Sequence, residues 1–167
     1  MTVTDPIAGD IILYPAGPKS AWSSRLVVAG EIMAGFGEGL EAYSHAAILS
    51  NTPGYQYEAT FPFTVRSKID TSRTYEIWRI GAPSMLQRSL ILKWCKDHVG
   101  KLYNLIGVLT FNMIRLPDTY YCSQFACLSY AAAGLHPGDK IMSPDSIPEY
   151  PGARMIYRYT PPPKEAR

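Results

Sequence analysis

Residues 44–60 constrain the fold more than any other stretch of the chain. Two β-prone runs, SHAAIL (44–49) and YQYEAT (55–60), flank Ser50-Asn51-Thr52-Pro53-Gly54. Turn residues between two such runs predict an antiparallel hairpin. Pairing Leu49 with Gly54 sets His45 directly opposite Glu58, and directly opposed residues share a face with Cβ atoms about 4.5–5.5 Å apart. The placement depends on register, because a one-residue slip sends one of the two side chains to the other face.

Further elements follow from punctuation and periodicity. DIILY (10–14), ended by Pro15-Ala16-Gly17-Pro18, reads as a buried strand, and YEIWRI (75–80) and RMIYRY (154–159) read as two more. Residues 20–36 read as a helix through Trp22, Leu26, Val27, Ile32 and Met33, stopped by Gly35, Gly37 and Gly39. Residues 84–99 carry the best helix signal. Ser84 and Gln87 form a capping-box pair after Pro83, and Leu86, Leu90, Ile91, Trp94, Cys95 and His98 recur at helical spacing up to Gly100. A second strong helix spans 122–133 (CSQFACLSYAAA) and stops at Gly134. Strands followed by segregated helices predict an α+β fold on an antiparallel sheet. The apolar run LYNLIGVLTF (102–111) is too short for a bilayer, which needs about 20 residues, and reads as a buried core segment.

Composition narrows the function classes. With 167 residues, 47% apolar and 18% charged, the chain suits one globular domain, taken as 1–160 with an extended Pro-rich and charged tail at 161–167. The 16 basic and 14 acidic residues give a net charge of +2 and no like-charge block, so nothing marks a nucleic-acid binder. The opening MTVTDPIAGD has neither the basic nor the apolar region of a signal peptide, which predicts a soluble chain made in the cytoplasm without a transmembrane segment.

The soft and switchable groups are three cysteines and three histidines, and an odd cysteine count is no disulfide framework. Cys95 and Cys127 fall inside helices and read as core thiols. His98 near a helix end and His136 in the turn 134–138 read as structural. Cys122 differs because it opens its helix. There the dipole and the unpaired N–H groups favour thiolate over thiol and can hold an oxyanion. With His45 as base and Glu58 as its orienter, the set matches the logic of acyl-transfer sites. Zinc is the rival use, but the Cys122–Cys127 spacing has no second ligand pair to complete it.

At this point the chain resembles a known superfamily. Gly9-Asp10-Ile11-Ile12, Tyr43-Ser44-His45-Ala46-Ala47-Ile48, Tyr57-Glu58-Ala59, Gly100-Lys101-Leu102-Tyr103-Asn104, Tyr121-Cys122-Ser123-Gln124-Phe125 and Ser143-Pro144-Asp145 occur in the order of its motifs. They are similar to the circularly permuted, papain-like branch of the NlpC-type hydrolases, the YiiX-like group related to lecithin retinol acyltransferase. Two positions depart from the pattern, Gln124 where Glu is usual and Ala47 where Gly is common. Residues 21–40 and 61–74 match nothing closely.

The resemblance implies a papain-like fold with rearranged chain order, in which the nucleophile helix packs on a small sheet carrying His45 and Glu58. It implies Cys122 as nucleophile, His45 as base and Glu58 as third member. Tyr103, Ser123, Tyr121 and Ser44 would line the substrate or oxyanion region. It implies no metal or cofactor. The substrate expected first is an amide in a cell-wall peptide, and second a lipid acyl group. A non-catalytic structural or adaptor protein, for example of a phage particle, is the alternative from another class.

Overall fold

The core strand is the isoleucine-rich one. β1 (Ile11–Pro15) sits inside a six-stranded sheet of order β4-β3-β2-β1-β5-β8, with β2 (Tyr43–Leu49), β3 (Tyr55–Ala59), β4 (Thr64–Lys68), β5 (Tyr75–Ile80) and β8 (Ala153–Tyr159). Every pairing in this sheet is antiparallel. The computed structural model describes residues 5–16, 43–109, 116–135 and 143–163. The helix expected over 20–36, His136 and the tail beyond 163 lie outside the described residues.

Alternation along the strands makes two cores. Ile11, Leu13, Ala46, Ile48, Tyr57 and Ala59 face one side, where they meet α1 (Met85–Asp97) and α3 (Cys122–Ala132) through Ile91, Cys95, Phe125, Ala126 and Tyr130. Ile12, Tyr14, Ala47, Tyr75 and Ile77 face the other side. A strand buried on both faces needs an unbroken apolar run, which is why DIILY shows no polar alternation. The described residues are thus mixed α/β, with an antiparallel six-stranded sheet and few helices.

The hairpin forms with a register different from the one expected. Leu49 opposes Gln56 and Ile48 opposes Tyr57, a shift of two residues. Ser50 and Tyr55 close the turn, with Ser50 N–H donating to the Tyr55 carbonyl at 3.0 Å, so Leu49 moves past Gly54 to Gln56. Gly54 takes φ +76°, a conformation few other residues adopt without strain. Because side chains alternate with period two, an even shift leaves His45 and Glu58 on the same face. Beyond Ile48 and Tyr57 the two strands no longer pair.

α1 starts at its capping box. Ser84 Oγ accepts from Gln87 N–H at 3.2 Å, and Gln87 Oε1 accepts from Ser84 N–H at 2.9 Å. Its inward face is narrower than the apolar spacing suggested. Ile91 and Cys95 are buried, whereas Leu86 and Leu90 are exposed. The run at 102–111 also departs from expectation. It holds a two-residue strand β6 (Leu102–Tyr103) and a short helix α2 (Leu105–Leu109), with Leu102 and Ile106 exposed rather than buried.

Two small devices place the start of α3. β6 runs parallel to β7 (Thr119–Tyr120), with Tyr103 paired to Tyr120, and Asn104 N–H donates to the Tyr120 carbonyl at 2.9 Å. Asn104 Oδ1 then accepts from Gly107 N–H at 2.7 Å, which caps α2. From the other side, Trp94 packs on Phe125 at 5.1 Å and on Tyr120 at 5.5 Å. His98 stacks on Trp94 at 4.0 Å, and its Nδ1 lies 2.7 Å from the Trp94 carbonyl, so its role is structural. Among the described residues no helix is long and apolar enough to cross a membrane.

Candidate active site

Where β2 and β3 part, the sheet opens a gap, and α3 packs against both strands there. Cys122, the first residue of α3, sits at this gap. Its sulfur is hydrogen-bonded by the main chain of Ala46 and of Ser123 and by the His45 ring. The Ala46 main chain is open to this contact because β3 no longer pairs beside it.

His45 bridges the thiol and the carboxylate. Its Nε2–H donates to Glu58 Oε2 at 2.5 Å, which leaves Nδ1 for Cys122. The His45 and Glu58 side chains are 14% and 12% exposed, so water screens the pair weakly. Glu58 is held from further directions. Ser67 Oγ donates to its Oε1, and the Gln56 amide is a further donor. Tyr14 OH donates to Gln56 Oε1 at 2.6 Å, which turns the Gln56 nitrogen toward Glu58.

The titration of the three groups follows from this chain of contacts. Burial alone would raise Cys122, but the hydrogen bond and charge of His45, with the Ala46 and Ser123 amides, outweigh it and lower the thiol. Burial alone would lower His45, but Cys122 and Glu58 outweigh it and raise the imidazole well above its usual range. Burial would raise Glu58, but the bonds from His45, Ser67 and Gln56 lower it to about 2. Thiolate and imidazolium are therefore the favoured pair. The other two thiols go the opposite way. Burial pushes Cys95 up to about 12, and burial with the nearby Cys122 charge does the same for Cys127.

A cleft of about 180 Å³ opens onto the three groups, and its walls include Tyr14, Gln56, Phe61, Arg73 and Tyr103. Tyr103 and Ser44 are among the residues that line this cleft, with Ser44 Oγ engaged with the Tyr14 carbonyl at 3.3 Å and with Arg73 at 3.0 Å. Ser123 and Tyr121 do not line it. Both are buried; Ser123 serves through its main chain, and Tyr121 N–H donates to Gln124 Oε1 at 3.3 Å. The last motif, 143–145, acts at the strand start, where Asp145 Oδ1 accepts from Tyr43 N–H at 2.5 Å.

Sequence reasoning missed Gln56, Ser67, Tyr14 and Arg73. Gln56 was within reach, since it lies two residues before Glu58 and shares its face. Ser67 and Arg73 fall in the stretch that matched no motif.

Asp10 is a buried polar group of another kind. It is fully buried, and Arg79 forks onto it, Nε to Oδ1 at 2.8 Å and Nη2 to Oδ2 at 2.7 Å. Arg88 Nη1 adds a bond to Oδ1 at 3.1 Å. This cluster ties β1 to β5 and α1, and it lies outside the cleft walls. Among the described residues no group of three His, Cys, Asp or Glu side chains is placed to hold a metal ion. No protein-family model and no curated protein matches the chain.

Proposed function

We propose that the protein is a cysteine hydrolase of papain-like type that cleaves an amide bond, with the chain order rearranged so that His45 and Glu58 precede Cys122. One observation carries this reading: a thiol at a helix N-terminus, lowered by an imidazole that a buried carboxylate orients, opens onto a cleft. A scaffold has no use for that arrangement.

The Cys122 thiolate attacks the acyl carbon, and the new C–S bond pushes the carbonyl electrons onto oxygen. The N–H of Cys122, in a first helical turn where main-chain donors lack intrahelical partners, stabilises the oxyanion. As the C–N bond breaks, the His45 imidazolium gives its proton to the leaving amine. Water, deprotonated by His45, then releases the acid from the thioester. Glu58 keeps the imidazole oriented throughout.

The resemblance to NlpC-type hydrolases makes a cell-wall peptide the first substrate. A lipid acyl ester is the second reading, favoured by exposed Phe61 in the cleft wall, with exposed Phe63 and Leu102 bridged beside it. Incubating the purified protein with muropeptides and, separately, with phospholipids tests both. New products from muropeptides alone support the first reading, and from phospholipids alone the second. Activity that survives Cys122→Ala overturns the mechanism.

A further inference from the structure

Arg73 stands in the cleft wall on the loop between β4 and β5, and its side chain is held in place. Nη2 donates to the Ser44 hydroxyl at 3.0 Å and to the Pro15 carbonyl at 3.3 Å, and the guanidinium lies 5.1 Å over the Tyr14 ring. A guanidinium has five N–H donors. Among the described residues, those on Nε and Nη1 have no hydrogen-bond partner, and no carboxylate forms an ion pair with Arg73.

This is an unusual state for a half-buried arginine. The same molecule gives Arg79 a fully buried carboxylate on two bonds. Lys68, exposed and without an ion pair among the described residues, lines the same cleft. Among the described residues, the one carboxylate in the wall besides Glu58, which His45 holds, is Asp70. Its Oδ1 is turned to Ser72, accepting from the main-chain N–H at 3.0 Å and from Oγ at 2.6 Å.

We infer that Arg73, with Lys68, binds an anionic group of the acyl substrate, a carboxylate or a phosphate, in the cleft beside Cys122. The inference rests on the proposed role of Cys122 as nucleophile. Arg73 is already positioned, so little side-chain freedom is lost on binding, and a charged hydrogen bond in a partly closed site is stronger than one in water.

Three alkylating probes with one warhead test it: N-bromoacetylglycine, its phosphonate analogue N-bromoacetyl-aminomethylphosphonate, and neutral N-bromoacetylglycinamide. In each, the Cys122 thiolate displaces bromide. At least one anionic probe is expected to alkylate Cys122 about tenfold faster than the neutral one. The faster arm names the anion. Arg73→Gln is expected to lower the anionic-to-neutral ratio about tenfold, and exposed Lys68→Gln to lower it less. The ratio, read on one protein, cancels any general change in the thiol.

A wild-type ratio of one or below overturns the inference without any variant, so a poorly folded Arg73→Gln does not rescue it. A ratio unchanged in both variants also overturns it, since the imidazolium alone then explains the preference. Cys122 that reacts readily without charge preference sinks the anion site only. Cys122 that reacts no faster than Cys95 and Cys127 with any probe sinks the hydrolase reading, and the inference with it.

Discussion

Glu58 Oε2 meets His45 Nε2 at 2.5 Å across a gap where their two strands have stopped pairing. Sheet hydrogen bonds do not hold the contact, so side chains must, and Ser67 does part of that work from β4. Ser67→Ala is expected to slow alkylation of Cys122 by iodoacetamide a few-fold, and Glu58→Gln more, because Ser67 orients the carboxylate that orients the ring. The Ser67→Ala pH profile should keep its shape but shift its lower limb upward. An unchanged rate and profile in Ser67→Ala would show that β4 contributes nothing to the site.

Glu58 also links the site to stability. Its carboxyl falls from 4.5 to about 2 on folding, so its contribution is present above 4.5 and is lost as pH drops from there toward about 2. The shift corresponds to about 3 kcal/mol. Urea unfolding of wild type and Glu58→Gln should therefore show a stability gap at neutral pH that closes on acidification through this window. A gap that stays constant down to about pH 2 contradicts the assignment.

Asp10 belongs to the fold. Its removal would leave Arg79, only 4% exposed, charged and unpaired inside the protein. Breaking a buried pair from one side costs about 3–5 kcal/mol. Asp10→Ala should lose that much by urea unfolding. A loss below about 1 kcal/mol would mean that water reaches Arg79 and the cluster is not buried in solution.

What the sequence made legible follows from which signals are local. Helix starts are local, so the capping box at Ser84 and the position of Cys122 at its helix start could be read directly. Strand parity is local too, and it survived the register error at Leu49 because the error was even. Exposure is not local. Leu86, Leu90, Leu102 and Ile106 are as apolar as core residues, and only tertiary packing decides that they face water. β4 was invisible because TVRSK is mostly polar, and its value lies in Thr64 and Ser67. Thr64 is buried, with its main chain bonded to Lys101 and Gly100, while Ser67 reaches Glu58. Contacts across such separations leave no spacing to detect.

Asn104 and Gly107 couple in a way that can be measured. A Cβ on Gly107 would stand 2.7 Å from Asn104 Cγ and 2.9 Å from its Oδ1, in a side chain that is 1% exposed. Asn104→Ala should cost about 1 kcal/mol through the lost cap. Gly107→Ala should cost more, because Asn104 must move. The double variant should cost less than the sum, since removing Asn104 clears the space. Strict additivity in thermal unfolding would contradict this packing.

The central claim is that His45 holds Cys122 as a thiolate, and the pH dependence of iodoacetamide labelling tests it most directly. Mass spectrometry can read Cys122, Cys95 and Cys127 separately in the folded protein. Cys122 is predicted to react fastest and to stay reactive well below the ordinary thiol range of about 8.5, with that acid-side reactivity lost in His45→Ala. Cys122 labelling no faster than Cys95 and Cys127, or with an ordinary thiol profile that His45→Ala leaves unmoved, would contradict the account.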